Sequence, residues 1–377
     1  MTATGSTPPT CLPKHQRVEW IDTLKVLTML LVVMGHCTYY VIKTNFGGIE
    51  YIPLGEVSLS YKALEFLTNV IYRFHMPLFM AVSGACFSWN IRRFSNLKEL
   101  IRNKSSRLLL PFLMVTTFVA VPLKYTAGYY EDSKSVILDI ICGQYLLLGN
   151  SHLWFVVSLF YIFVAFYCIE KLNIRYNWKY WGFLLILSWM GILFLRFSEF
   201  MGEAFGISGM LKYLLFFAIG FSTFDYWNSK TSVTYIKQIL SWLGFVGAVL
   251  GVTILPKYAG SIIFKVVLQF PINTILAVWG CVNMIYLAKS VCQWEKLRKT
   301  KLYQFFNKYT YELYLYSDPF NYLFIASFVP LFGQDLFIGE YPIYAYGIRF
   351  FGTILAATVI IIVKNKISSL AFHSKVV

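Results

Sequence analysis

Long apolar segments follow one another along the 377-residue chain, separated by short polar or basic stretches. About 20 consecutive apolar residues form a helix that spans the hydrocarbon of a bilayer, where the backbone must satisfy its own hydrogen bonds. The predicted fold is therefore all-α: a polytopic membrane protein of about ten transmembrane helices. Their approximate bounds are 20–42, 62–88, 106–124, 153–170, 180–197, 211–228, 238–255, 265–289, 305–330 and 343–364.

The composition agrees with a surface that faces lipid. Hydrophobic residues make up 58% of the chain and charged residues only 14%, whereas an ordinary soluble domain carries about 25% charged residues. A soluble enzyme of this length would need far more polar surface, so that class is excluded, as are disordered and disulfide-scaffold proteins. None of the seven cysteines has the spacing of a metal ligand, and no metal is predicted.

The basic residues indicate how the chain is oriented. If the N-terminus is cytoplasmic, most of the 33 Lys and Arg residues fall in inner loops and tails, while the acidic residues lean to outer loops. This positive-inside pattern predicts that both termini are cytoplasmic, in a multi-pass protein of the plasma (inner) membrane. It also accounts for the net charge of +15. The cations are spread over several loops, which argues against a nucleic-acid partner.

Three regions are predicted from this pattern. Residues 1–16 are polar and read as a disordered cytoplasmic tail, residues 17–364 form the transmembrane domain, and residues 365–377 form a basic cytoplasmic tail. The long outer segment 125–152 contains an apolar stretch that is too short to span. It is expected to lie at the interface as an amphipathic helix or a re-entrant cap.

Ionisable residues inside the predicted spans are the candidate functional residues, because a charge in the hydrocarbon is costly. In the first span, Lys25 and His36 lie eleven positions apart, so they project from one helix face about 16 Å apart. Asp22 shares that face and could pair with Lys25. His36 is either a nucleophile or general base, or a buried histidine bonded to a backbone carbonyl. Cys37 is the competing nucleophile, but it points away and is interpreted as packing.

The second span carries a cation and a histidine deep in the membrane, Arg73 and His75, just before Pro77. Such a cation must face a polar cavity or an acid such as Glu65. One interpretation is a structural ion pair that fixes helix packing. The other is that Arg73 and His75 face the same internal cavity as His36, and this is the prediction we make.

The inner loop that follows the second span is the most basic one. Its arginines Arg92, Arg93 and Arg107 are either a topological signal or ligands for a phosphorylated cofactor, since guanidinium groups match phosphate oxygens. On the opposite side, His152 and Trp154 open the fourth span, where an interfacial role and substrate contact are both open. The ninth span carries Glu312 and Asp318 between tyrosines, and two acids inside one span are unusual.

Ordered motifs along the chain carry a resemblance to a known family. Trp20 and Asp22 precede a basic residue, Lys25, which ten positions later is followed by Gly35 and His36. In this pattern and in those that follow, the chain resembles the acyltransferase 3 family of multi-pass membrane acyltransferases. That family usually has Arg in place of Lys25, and Lys is an accepted form.

Later motifs extend the resemblance over about residues 17–364. FHMPLFMAVSG (Phe74–Gly84) is close to the family's FHMPLFFFISG, and Arg107 to Pro111 follow the basic loop as they do in the family. Weaker matches lie at 152–155 and 311–315. The last of these runs commonly ends in His or Gln in the family. Here residues 316–318 are Tyr-Ser-Asp, so no family role is carried over to that end.

The resemblance implies transfer of an acyl group, usually acetyl, from a cytoplasmic coenzyme A thioester to a hydroxyl of an extracytoplasmic or lipid-linked carbohydrate. The donor would be acetyl-CoA or another acyl-CoA, and the other partners the carbohydrate acceptor and membrane lipid. The implied catalytic residues are His36, Lys25, His75 and Arg73. The implied donor-binding residues are Arg92, Arg93 and Arg107, and the acceptor-binding residues are His152, Trp154 and Glu312.

Two other classes of function remain compatible with the residues. A transporter or flippase of a glycolipid or polyprenyl-linked sugar would also have deep charges and ten spans. It would have no need for His36 on a stripe with Lys25 beside an arginine-rich inner loop, and it would not consume acyl-CoA. The other class is a non-catalytic scaffold for a cell-envelope assembly. In that case the candidate residues would have the structural roles given above, such as ion pairing, packing and topology.

Overall fold

The computed structural model describes residues 18–51, 57–149, 151–172, 177–197, 204–230, 233–254, 269–333 and 339–373. The predicted tail 1–16 lies outside these residues. Ten helices of 18 residues or more are present in the described part, one in each predicted span. They are α1 (Glu19–His36), α2 (Leu59–Asn90), α3 (Leu97–Thr126), α4 (Trp154–Lys171), α5 (Trp178–Phe197), α6 (Ile207–Ser229), α7 (Tyr235–Ile254), α8 (Gln269–Cys292), α9 (Lys301–Phe332) and α10 (Pro342–His373).

Seven of the described helices are long and apolar enough to cross a membrane: α2, α3, α4, α6, α7, α8 and α10. Their outward side chains are apolar, among them Phe118, Leu243 and Phe351, which are all more than 60% exposed. This surface suits lipid and not water. The protein is therefore an all-α polytopic membrane protein. Helix α10 continues to His373, so residues 365–373 of the predicted tail are helical.

Local sequence explains where the helices begin and how they bend. The side chain of Ser58 accepts a hydrogen bond from the backbone N–H of Tyr61 and caps α2, and Thr300 caps α9 in the same way. In α3, two five-residue π segments, Ser105–Leu109 and Thr116–Ala120, each precede a proline by one residue. Because proline cannot donate the next helical hydrogen bond, the backbone widens there.

Glycines allow close backbone contact where α2 crosses α6. A Cβ added to Gly84 would lie 2.0 Å from the carbonyl oxygen of Phe217, and one added to Gly220 would lie 1.9 Å from that of Ala81. Only glycine permits these backbones to approach so closely. The crossing fixes α2 against α6, and α1 packs against α2, α8, α9 and α10.

A cap closes one end of the bundle near the C-terminal end of α1. It contains an antiparallel hairpin, Val41–Thr44 (β1) with Gly47–Glu50 (β2), and the short helix Val136–Tyr145. The hairpin bonds to the segment after α3 through Gly48, whose N–H donates to the carbonyl of Tyr129 at 2.8 Å. This cap occupies the place predicted for the outer segment. Three one-turn helices, Ile91–Arg93, Ala204–Gly206 and Glu295–Arg298, complete the described elements.

Candidate active site

The end of α1, the middle of α2, the start of α4, the first turns of α6 and the middle of α9 line a cavity of about 480 Å³. We call it the histidine cavity because three histidines line it together with one buried carboxylate. Its lining residues are Val32, His36, Tyr39, Val41, Thr68, Tyr72, His75, Met76, His152, Trp154, Lys212, Tyr213, Tyr314 and Asp318.

Asp318 lies at the centre of the polar groups in this cavity. Its side chain is 1% exposed, and its Oδ1 is 2.9 Å from Nδ1 of His36. Its other oxygen, Oδ2, is 3.4 Å from Nδ1 of His152. The hydroxyl of Tyr39 donates to Oδ1, and the amide of Asn321 donates to the same atom at 3.5 Å. A buried carboxylate needs such partners, and here two of them are imidazoles.

The hydrogen bond to Asp318 fixes the protonation pattern of His36. A carboxylate oxygen only accepts, so Nδ1 of His36 carries a proton and donates it at 2.9 Å. In the neutral ring, Nε2 then holds the lone pair and is the basic nitrogen. The His36 side chain is 17% exposed and lines the cavity, so this histidine has the orientation required of a general base.

His152 is held on the other side of the same carboxylate. Its Nε2 lies 3.1 Å from the carbonyl oxygen of Leu315, which can only accept, so Nε2 carries a proton. Its Nδ1 faces Oδ2 of Asp318 at 3.4 Å. Neither of these two buried atoms has a hydrogen-bond partner among the described residues. The hydroxyl of Tyr314 donates to the backbone carbonyl of His152 at 2.7 Å, so His152 is held facing the buried carboxylate.

Arg349 of α10 holds the C-terminal end of α1. Its side chain is fully buried, and its guanidinium donates to the backbone carbonyls of His36 at 3.0 Å and Tyr39 at 2.9 Å. Its Nε also donates to Asn321 at 3.3 Å. A cation at a helix C-terminus interacts favourably with the helix dipole. Arg349 therefore positions the His36 backbone on one side and, through Asn321, the Asp318 carboxylate on the other.

The structure brings His75 to the histidine cavity and does not bring Arg73 there. Nδ1 of His75 is 3.0 Å from the carbonyl of Ile71, so this nitrogen donates to its own helix. Arg73 is two positions away, about 200° around α2, and it faces α8, where it donates to Asn273 at 2.6 Å. The expectation that Arg73 shares a cavity with His36 is corrected accordingly. Its partner is an amide and not an acid such as Glu65.

A second, larger cavity of about 740 Å³ lies beside α3 and uses the same faces of α1, α2, α4 and α9. We call it the basic cavity because lysines and arginines line its polar part, while aromatic and aliphatic side chains line the rest. Its lining residues are Lys25, Phe79, Val82, Ser83, Cys86, Phe87, Asn90, Arg93, Phe94, Glu99, Asn103, Lys104, Arg107, Leu108, Phe155, Leu159, Phe163, Thr310 and Tyr311.

Two of the three loop arginines reach the basic cavity. Arg93 and Arg107 line it, whereas Arg92 is not among its lining residues. Lys25 also lines this cavity, and it makes the expected ion pair with Asp22 at 3.3 Å. Lys25 and His36 therefore belong to different cavities, although they share one face of α1.

Trp154, Glu312 and the thiol of Cys37 lie in three different surroundings. Trp154 lines the histidine cavity and stacks on Tyr213 with 5.7 Å between ring centroids. Glu312 lines neither cavity and instead pairs with Lys364 of α10. Cys37 is fully buried and donates to Asn321 at 3.4 Å. In the described residues, no three or more His, Cys, Asp or Glu side chains are grouped so as to hold a metal ion.

The fold and this site define a polytopic membrane protein with a His-Asp pair inside its helix bundle. The sequence profile of the acyltransferase 3 family, an acyltransferase domain, matches residues 18–363. The chain therefore belongs to that family.

Two curated relatives show more limited similarity. The chain is 29% identical over 156 residues to nodulation protein NolL of Sinorhizobium fredii, covering 40% of this chain and 37% of the relative. It is 26% identical over 238 residues to nodulation protein NolL of Mesorhizobium japonicum, covering 60% of this chain and 55% of the relative. The chain thus spans about a third to a half of the length of these relatives. No solved structure matches it.

Three residues of these sites were not assigned a role by sequence reasoning. Asp318 was noted only as an unusual acid, and Arg349 and Lys104 were not singled out. A signal for Arg349 was available, because it is a lone cation within an apolar span. Lys104 was one of several basic residues in its loop, and its place over the ring of Phe163, 3.5 Å from the centroid, follows only from the fold.

Proposed function

We propose that this protein transfers an acyl group, usually acetyl, from acyl-CoA on the cytoplasmic side to a hydroxyl of an extracytoplasmic or lipid-linked carbohydrate. Membership of the acyltransferase 3 family supports acyl transfer. The arrangement of two cavities end to end along α1, α2, α4 and α9 is the observation that carries the proposal. One cavity suits the donor, and the other suits the chemistry and the acceptor.

The basic cavity has the character that an acyl-CoA requires. Arg93, Lys104 and Arg107 supply cations for phosphate oxygens. Beyond them, Phe79, Phe155 and other apolar side chains line a path suited to the pantetheine arm. The positive-inside pattern of the sequence supports a cytoplasmic position for this end of the bundle, where acyl-CoA is made available.

The histidine cavity supplies the proton transfer that the reaction needs. Nε2 of His36 takes the proton from the acceptor hydroxyl, whose oxygen attacks the thioester carbonyl carbon. A carbon–oxygen bond forms, the carbon–sulfur bond breaks, and the proton on His36 passes to the leaving thiolate of coenzyme A. Asp318 keeps the imidazole oriented and stabilises the imidazolium that forms, as the acid does in a Ser-His-Asp triad.

The acceptor is proposed to enter the histidine cavity from the side of the hairpin cap. Trp154 and Tyr213 present stacked aromatic rings there, a surface on which the apolar face of a sugar ring can pack. Lys212 lines the same cavity. The proposed acceptor is thus a cell-surface polysaccharide or a lipid-linked sugar.

The test compares cells that carry the wild-type chain with cells that carry His36→Ala. We expect mass spectrometry of surface glycans to show an acyl modification with the wild type and its loss with His36→Ala. In nanodiscs, the variant should release coenzyme A from acetyl-CoA at least about 100-fold more slowly. Lys43→Gln is the matched control, because Lys43 lies on the exposed hairpin and its side chain is 67% exposed.

Two results would contradict the proposal. One is near wild-type glycan acylation with a well-expressed His36→Ala variant, which would remove His36 from the chemistry. The other is a lipid-linked sugar that accumulates on the cytoplasmic side without the protein, with no acyl-CoA consumed by the wild type. That result would identify a flippase instead.

A further inference from the structure

A thin partition separates the two cavities. On α2, Met76 lines the histidine cavity and Phe79 lines the basic cavity, only one helical turn further. On α9 the same change occurs between Tyr314 and Tyr311. The cavities therefore approach each other to within about one layer of side chains.

Three aromatic rings form this partition. The ring centroids of Phe79 and Phe155 are 4.5 Å apart, those of Phe155 and Tyr314 are 5.5 Å apart, and those of Phe79 and Tyr314 are 5.8 Å apart. Phe79 and Phe155 line the basic cavity, while Tyr314 lines the histidine cavity. We call this group of Phe79, Phe155 and Tyr314 the aromatic partition.

Phe79 is the member of the partition that has room to move. Phe155 is fully buried, and Tyr314 is 3% exposed and anchored by its hydroxyl to the carbonyl of His152 at 2.7 Å. Phe79 is only partly buried, and its side chain has no polar group to anchor it. Phe79 is therefore the ring of the three whose rotamer can change with the least repacking of its neighbours.

We propose that Phe79 is the gate between donor and acceptor cavities and that it sets which acyl groups reach His36. This inference rests on the proposed function, since the acyl end of the donor must pass from the basic cavity to the histidine cavity. Slim groups such as acetyl pass when the Phe79 ring turns aside. Branched or aromatic acyl groups are excluded, because the Phe79 ring still narrows the opening and Phe155 and Tyr314 on its other sides do not move.

The first test measures acyl selectivity in nanodiscs, with a crude extract of host surface polysaccharide as the acceptor. Coenzyme A release is followed with acetyl-CoA, isobutyryl-CoA and benzoyl-CoA. We expect Phe79→Ala to raise turnover of the two bulky donors at least about 10-fold relative to acetyl-CoA, the scale that a pocket assigns to a missing or added methylene. Phe79→Trp should lower acetyl turnover by a similar factor, because the larger indole closes the opening.

Phe163→Ala is the matched control for these variants. Phe163 also lines the basic cavity, but it lies two turns of α4 away from Phe155. Removing it should not change the ratio of bulky to acetyl turnover. Phe79→Leu serves as a milder second variant, and it should shift the ratio in the same direction as Phe79→Ala.

The second test is independent of acyl transfer. Cys86 lines the basic cavity, so a membrane-impermeant maleimide added from the histidine-cavity side of sealed vesicles must cross the partition to reach it. Peptide mass spectrometry should show no label on Cys86 in the wild type from that side and clear label in Phe79→Ala. From the opposite side, both proteins should be labelled.

The outcomes separate the gate from the proposed function. If Phe79→Ala opens Cys86 to the maleimide while the wild type consumes no acyl-CoA, the gate stands and the proposed acyl transfer is wrong. If the wild type turns over acetyl-CoA, and Phe79→Ala changes neither the acyl ratio nor the labelling, the gate is wrong.

Discussion

The histidine cavity and the basic cavity are built on the same four helices, but their polar side chains are held differently. In the histidine cavity, the side chains of Asp318 and His152 are no more than 3% exposed, and Asp318 accepts hydrogen bonds from several partners. In the basic cavity, the Lys25 side chain is 39% exposed, and Arg93 and Arg107 are exposed as well. The central polar groups of the first cavity are buried and bonded to neighbours, whereas the cations of the second are exposed.

This difference matches two different physical tasks. Proton transfer requires reacting atoms to be held within a narrow range of distances and angles. Buried neighbours with fixed hydrogen bonds hold them there. Attraction of phosphates acts over a longer range and tolerates mobile side chains in water. Substitutions in the first cavity should therefore change kcat, and those in the second should change the KM for the donor.

Among these substitutions, Asp318→Asn should lower the activity most, because it removes the carboxylate at the centre of the histidine cavity. The amide can no longer accept from Nδ1 of His36 with the strength of a carboxylate, and it cannot stabilise the imidazolium. We expect kcat to fall about 1,000-fold, within the range of general acid–base catalysis, with the KM for acetyl-CoA unchanged. Coenzyme A release in nanodiscs measures both.

Ser317→Ala is the control for Asp318→Asn. Ser317 is the preceding residue and is also buried, but its hydroxyl donates to the backbone carbonyl of Tyr314 at 3.4 Å and does not line the cavity. It should keep near wild-type kcat. Equal losses in both variants would show that the effect of Asp318 is structural.

Replacing Arg93 and Arg107 together by Gln should give an intermediate effect, confined to donor binding. Exposed ion pairs are each worth roughly 0.2–1 kcal/mol, so we expect the KM for acetyl-CoA to rise about 5-fold with little change in kcat. The rise should be larger at low salt, since ions screen these charges. Arg92→Gln is the matched control, because Arg92 belongs to the same loop but does not line the cavity. An unchanged KM in the Arg93 and Arg107 variant would indicate a purely topological role, and an equal rise with Arg92→Gln would indicate a general charge effect without a specific site.

Sequence reasoning predicted the helices and one half of the candidate site. Apolar length places each of the ten long helices, because the bilayer fixes how many residues a span needs. The hairpin after α1 was not predicted, since its eight strand residues carry only a weak strand pattern. His36 was singled out as a deep histidine on the face of Lys25.

Its partner required the fold. Asp318 lies on α9, far from His36 in sequence, and only helix packing brings the two within 2.9 Å. Periodicity within one helix gives the direction of a side chain but not which helix it faces. The same reason accounts for Arg73, since the sequence of α2 alone does not show that this side chain faces α8.

Arg73→Gln should give the smallest effect on activity, because Arg73 lines neither the histidine cavity nor the basic cavity. Arg73 donates to Asn273 at 2.6 Å between α2 and α8, so its loss should cost about 1–3 kcal/mol of stability and leave kcat and KM unchanged. Asn273→Ala should cost a similar amount, and the double variant should cost less than the sum, because both remove one interaction. Unfolding of the detergent-solubilised protein measures the three values.

His75→Gln is the comparison on the same helix, since His75 lines the histidine cavity and its substitution should lower kcat. If Arg73→Gln abolishes transfer in a stable protein, Arg73 acts on the chemistry, and the boundary drawn here around the histidine cavity is wrong.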